Sequence, residues 1–169
     1  AATSDPVPVE PYTNSLKKTI EFFGREEKGR FRFVTKYSDV DSLLDAEHNN
    51  HTEIRFSINT PRIINEHEHY TASANKRIES AVKLARAGYQ IGFIIAPVFL
   101  YEGWKEEYKN LIISINLIIS IKEALPKDFD KKIIFEVISH RYTTKAKNRI
   151  LEIYPDTLLP MENEDRKFK

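Results

Sequence analysis

The stretch "SANKRIESAVKLARAGYQIGFIIAPVF", residues 73–99, decides the fold. Its first part spaces Ile78, Val82 and Ala85 at helical intervals, and Gly88 stands where a helix would stop. Its second part, "QIGFIIAPVF" (90–99), is a continuous apolar run with β-branched residues, which marks a buried strand. A helix passing through a glycine into such a strand is half of a βαβ unit, so further parallel strands are expected on either side.

They are found. Upstream, "EIRFSIN" (53–59) and "GRFRFVTKY" (29–37) alternate as strands do. A helix is expected through "SLKKTIEFFG", capped by Asn14 or Thr13 and stopped at Gly24, and a short one through "SDVDSLLDAEHN", begun by Ser38 or Asp39. "TPRIINEHEHYTAS" (60–73) reads as a long loop with at most a helical turn. Downstream, a helix is expected over 103–125, a strand over 131–138 and a helix over 143–153. The proline-rich residues 1–12 and the charged residues 160–169 are expected to be irregular. The order is a helix, then strand–helix four times. That predicts an α/β fold with four parallel strands and crossover helices, in a single domain over 1–169. Four strands make either a small open sheet or part of a larger barrel.

The 169 residues suffice for one domain with a real core. A net charge of +1 gives no global reason to expect nucleic acid or membrane, so any DNA-binding surface must be a local patch. The absence of cysteine excludes disulfides, zinc fingers and cysteine-ligated iron–sulfur clusters within these residues. The longest apolar run, "LIISINLIISI" (111–121), falls short of the about 20 residues that span a bilayer. No membrane association and no signal peptide are expected, which fits a cytoplasmic protein.

Taking every second residue of each strand exposes a pattern. The first carries Arg32 and Lys36 on one face, and the second carries Arg55, Ser57 and Asn59. The third puts Gly92, Ile94 and Ala96 there, and the fourth Glu136 and His140. A parallel strand covered on both faces should be apolar on both. Polar residues on one face, with small ones on the third strand, point instead to a lined cavity. Lys36, Ser57 and Asn59 stand at or near the carboxyl ends of strands, where α/β folds place ligands. For Arg32, Arg55 and Glu136 the competing account is mutual pairing with no ligand. His67 and His69 in "INEHEHY" have no metal-site spacing and read as a solvated charged loop, so no metal ligand is assigned. Trp104 reads as packing at a helix start. Arg141, Lys145, Lys147 and Arg149 gather about another helix start, either to meet phosphates or as a solvated face.

The ordered series "TSD…SLKKTIEFFG…GRFRFVTKY…LLDAEHN…RFSIN…KRIESAVKLARAGYQIGFIIAPVFLYEGW…EVISHRYTTKAKNRILEIYP" closely resembles the spore photoproduct lyases, DNA-repair enzymes of the radical S-adenosylmethionine superfamily in endospore-forming bacteria. The resemblance covers nearly the whole chain. It implies that the sheet is the later part of a partial (β/α) barrel. It also implies a substrate, DNA containing the spore photoproduct 5-thyminyl-5,6-dihydrothymine, which is returned to two thymines. The cofactors implied are S-adenosylmethionine and a [4Fe–4S] cluster, the source of a 5′-deoxyadenosyl radical.

By position, Lys36, Ser57 and Asn59 match residues that hold the methionyl end of S-adenosylmethionine, and Ala96 matches the strand end near its adenosine. An ammonium, a hydroxyl and an amide suit a ligand bearing a carboxylate and an amine. Ser4 matches a position near the lesion, and His140 and Arg141 are further candidates for substrate contact. The family's C-x3-C-x2-C motif lies upstream of residue 1. Ala2 stands where the family has its hydrogen-donor cysteine, so no catalytic residue is assigned in this chain. An aromatic, Gly/Arg-containing segment of the family would follow residue 169. The resemblance thus implies a fragment, inactive alone. The alternatives are a non-catalytic α/β module binding DNA or a partner, and a related radical enzyme with another substrate.

Overall fold

In the computed structural model, which describes residues 4–121 and 132–159, the apolar run forms a strand, Gln90–Val98, at the centre of a parallel sheet. The described residues form α1 (Glu10–Thr13), α2 (Ser15–Arg25), β1 (Phe31–Thr35), β2 (Thr52–Ile58), α3 (Pro61–His67), α4 (Ala74–Arg86), β3 (Gln90–Val98), α5 (Trp104–Ile121), β4 (Ile134–Ser139) and α6 (Thr144–Ile153). The four strands lie in sequence order and all pair in parallel. This is the predicted α/β architecture.

The helix–strand junction at residues 84–91 follows from local chemistry. Gly88 takes a φ of +90°, its N–H bonds to Ala85 O at 3.0 Å, and the Tyr89 N–H bonds to Leu84 O at 3.0 Å. That is a Schellman closure, which needs a left-handed residue and so favours glycine. Tyr89 then enters the core fully buried, its hydroxyl donating to Leu43 O at 2.6 Å, and burial pushes that phenol's pKa well above its ordinary value. Ser73, Thr60 and Thr143 each accept a backbone N–H of the first turn that follows, capping α4, α3 and α6.

One face of the sheet is apolar and closed. Phe33, Ile54, Phe56, Ile58, Ile91, Phe93 and Ile95 are all at most 2% exposed, packed with Ile20 of α2 and Ile78, Ala81 and Leu84 of α4. The other face carries the polar alternation. β4 is thinly covered, with Phe135 44% and Val137 63% exposed.

Several local expectations are corrected. Residues 7–13 are not irregular: Val7–Val9 form a 3-10 turn that runs into α1. Asn14 occupies the N-cap position of α2, as expected, but its side chain makes no capping bond. The Glu10 carboxylate reaches across and accepts from Leu16 N (2.6 Å) and Lys17 N (3.0 Å), an anion on a helix N-terminus. The expected helix from Ser38 or Asp39 is only a 3-10 turn at Asp41–Leu43. Residues 60–73 hold a real helix, α3, because Thr60 caps it and Pro61 occupies its first position. Residues 160–169 and the end of the helix expected over 103–125 lie outside the described residues.

Gly24 lies within α2 and does not stop it. A Cβ there would sit 2.1 Å from Glu47 O, so the glycine permits a close approach of two backbones, not a turn. Gly24→Ala gains about 1 kcal/mol of helix propensity but must displace that carbonyl, and overpacking costs about 1–3 kcal/mol. The variant is expected to be destabilised by about 1–2 kcal/mol in urea denaturation. A stabilised variant would show that the 46–49 segment yields freely.

Candidate functional site

The polar residues of the four strands share one face, as the register requires. Val34, Arg55, Gly92 and Ile134 form a single row across the sheet. Arg55 lies along that row. Its Nη1 donates to Glu136 Oε2 of β4 at 2.6 Å and its Nε to Glu53 of its own strand. To reach Glu136 it passes over β3 at Gly92, where a Cβ would meet the Arg55 Cγ at 3.3 Å. The small residue on the third strand therefore clears space for this side chain. Arg55 and Glu136 are thus paired with each other. Arg32 stands apart from them, exposed, beside a cleft at the opposite end of the strands lined by Arg30, Phe31, His51 and Gln90.

At the carboxyl ends the matched residues converge. Lys36 directly follows β1, and continuing the register one step past Thr35↔Phe56 sets it beside Ser57. Asp5 accepts the Lys36 backbone N–H at 2.7 Å and that of Val7 at 3.1 Å, which brings the exposed Ser4 to the same end. Ser57 is 6% exposed, and no described side chain engages its hydroxyl. Ala96, half-buried, lies near the end of β3, before a cis bond to Pro97, and His140 directly follows β4. The His140 ring belongs to a row of aromatic contacts running His67, Phe99, His140, Tyr142, with centroid separations of 5.6, 4.6 and 5.1 Å. Arg141 is exposed and donates to Ser139 Oγ at 3.0 Å. Ala2 lies outside the described residues.

Asn59 sits differently from its matched neighbours. It is fully buried, its Nδ2 donates to Pro97 O at 2.9 Å, and its Oδ1 accepts from Thr60 N (2.9 Å) and Tyr108 Oη (2.7 Å). Tyr108 of α5 also accepts Phe99 N at 3.1 Å, so this one cluster ties the ends of β2 and β3 to α5. Tyr101 completes it, sharing a hydrogen bond with Thr60 (2.8 Å) and donating to Glu107 (2.8 Å); burial foremost pushes its phenol up to about 12.

A model of the spore photoproduct lyase family matches residues 1–169. The chain belongs to the spore photoproduct lyase family. It is 57% identical to a spore photoproduct lyase of Clostridium acetobutylicum and 46% identical to that of Bacillus subtilis, in each case over all of this chain and 48% of the relative. Among solved structures it resembles a spore photoproduct lyase mutant with bound AdoMet and dinucleoside spore photoproduct. The identity there is 44% and the TM-score 0.84, over all of this chain and 48% of that one. A spore photoproduct lyase complexed with dinucleoside spore photoproduct matches equally well. The chain thus spans about half the length of these spore photoproduct lyases.

Within this family member, one expectation fails outright. The "INEHEHY" segment is not a uniformly solvated loop. His69 and Tyr70 are exposed, but the Glu68 side chain is only 7% exposed. It hydrogen-bonds to the Lys36 ammonium through Oε1, and its Oε2 stands 2.8 Å from Arg77 Nη1 as an ion pair without hydrogen-bond geometry. Arg77 is fully buried and donates to Ala72 O, Ser57 O and Thr71 Oγ1, each at 2.7 Å. The signal for Arg77 was available: on α4 it falls on the same stripe as Ala81 and Leu84, a charge on an apolar face. Glu68 carried no comparable signal, since its partners are 32 and 9 residues away. Among the described residues no group of three or more His, Asp or Glu is arranged to hold a metal ion, and no helix is long and apolar enough to cross a membrane.

Proposed function

We propose that this chain is the cofactor- and DNA-proximal half of a spore photoproduct lyase, which reverts 5-thyminyl-5,6-dihydrothymine in DNA to two thymines. The observation that carries this is the end-to-end match to a lyase solved with AdoMet and the lesion dinucleoside, combined with Lys36, Ser57 and Ala96 meeting at the carboxyl ends of adjacent strands.

The donor set fits the methionyl end of S-adenosylmethionine. The Lys36 ammonium, its side chain 35% exposed, would face the carboxylate, and the free Ser57 hydroxyl would bond the same end. Ala96 leaves room for the adenosine. Asn59, whose amide is used within the protein, serves the site from behind by fixing the ends of β2 and β3. Ser4, His140 and Arg141 face the lesion-bearing DNA. When bound beside a [4Fe–4S] cluster, S-adenosylmethionine would supply the radical chemistry of repair, and the residues of this chain would hold and orient it. The chain contains no cysteine, so the cluster's ligands come from elsewhere. The setting is cytoplasmic, where the DNA is.

Repair is the decisive assay. A full-length protein carrying this segment should restore thymines in spore photoproduct DNA, and the 169-residue chain alone should not. In the cluster-reconstituted full-length protein, Lys36→Ala is expected to weaken S-adenosylmethionine binding about 10- to 100-fold, and Ser57→Ala about tenfold, the loss of one charge-assisted and one ordinary hydrogen bond. Unchanged affinity in both would sink the assignment.

A further inference from the structure

We propose that Glu68 is a positioning residue: anchored by Arg77, it holds the Lys36 ammonium where it receives the carboxylate of S-adenosylmethionine. This rests on the assignment of Lys36 to that carboxylate.

The Lys36 backbone is fixed first. Asp5 accepts its N–H, and its carbonyl accepts the Ala72 N–H at 3.1 Å, so the segment after α3 is stitched along the end of β1. What stays free is the flexible four-carbon stem, which a ligand would otherwise have to immobilise. Glu68 closes on that stem from the stitched segment. The carboxylate faces a fixed charge: Arg77 Nη1 stands 2.8 Å from its Oε2 as an ion pair, and Arg77 is in turn held by three acceptors in a fully enclosed site. One of those acceptors is the carbonyl of Ser57, so a single guanidinium sets both the ammonium and the hydroxyl-bearing residue of the candidate site.

The charges agree with this division of labour. Glu68 stands between two cations, Lys36 and Arg77, while the nearby Asp5 carboxylate is taken up by the backbone N–H groups of Lys36 and Val7. Arg77 is 0% exposed and beyond a ligand's reach, whereas the Lys36 side chain is 35% exposed. Of the two cations, only Lys36 is therefore within reach of a ligand carboxylate. A Glu68 that merely balanced Arg77 would have no need of its second contact to Lys36.

A double-mutant cycle in the cluster-reconstituted full-length protein, without reductant, tests this. S-adenosylmethionine affinity is measured for Lys36→Met, Glu68→Gln and the pair. We expect losses of about 30-fold and about tenfold for the single variants and about 30-fold for the pair, since Glu68 acts through Lys36. Multiplying losses, near 300-fold, would overturn the proposal, as would a silent Glu68→Gln. A silent Lys36→Met would overturn the cofactor assignment and the proposal with it. A second probe, 5′-methylthioadenosine, lacks the carboxylate. Its affinity should be unchanged by Glu68→Gln, and an equal loss for both ligands would show a merely structural role. If Glu68→Gln does not fold, Glu68→Asp replaces it, keeping the charge against Arg77 but withdrawing it from Lys36. That variant is expected to lose about three- to tenfold for S-adenosylmethionine, nothing for 5′-methylthioadenosine, and to be equally non-additive with Lys36→Met.

Discussion

Arg77→Met is expected to destabilise the protein by about 3–5 kcal/mol in urea denaturation. Methionine matches the volume of the stem but leaves the Glu68 carboxylate, 7% exposed, without its enclosed counter-charge. It also removes the Arg77 hydrogen bonds to the carbonyls of Ala72 and Ser57 and to the Thr71 hydroxyl, each 2.7 Å in the native fold, although Thr71 keeps its bond to Glu68 O. Removing one partner of a buried pair typically costs about 3–5 kcal/mol, because the survivor remains charged and dry. Against a usual total of about 5–15 kcal/mol this is severe. A double replacement, Arg77→Met with Glu68→Leu, should recover part of the loss, since the buried carboxylate leaves with its counter-charge and the Lys36 ammonium left behind is 35% exposed. A midpoint shift for Arg77→Met worth under 1 kcal/mol would show that water reaches Glu68 readily.

Asn59→Ala is the second large effect, expected at about 2–4 kcal/mol. Alanine removes hydrogen bonds to Pro97 O, Thr60 N and Tyr108 Oη in a site with 0% exposure. Each buried group left unpaired costs about 1–3 kcal/mol, and Tyr108 offsets part of this by turning to Pro97 O, already 3.4 Å away. Tyr108→Phe, which spares the Asn59–Pro97 and Asn59–Thr60 bonds, should cost less. If Asn59→Ala were neutral while abolishing cofactor binding, Asn59 would be a ligand contact and not a brace.

The strands and their parallel order were legible because period-2 alternation and a glycine-terminated helix are local signals. The convergence of Lys36, Ser57 and Ala96 followed from the same alternation, since strand ends in a parallel sheet point one way. Asn59 shows the limit: its place in the alternation put it on the polar face, but only the return of α5, bringing Tyr108 from 49 residues away, encloses it. The Glu10 cap escapes a sequence reading, and Gly24 and the Glu68 segment are read wrongly, for a common reason. Each has a local pattern that fits an ordinary role, and each is decided by a partner beyond its own segment.

The Arg55 side chain lying over Gly92 also bears on how the sheet knows its own alignment. β4 has little burial with which to select a register, because both of its faces are partly wet. A slip of one residue would turn Glu136 to the opposite face and leave Arg55 with Glu53 alone. The outermost strand is thus keyed by charge across an intervening strand, an ionic index mark where hydrophobic contrast is too weak to serve.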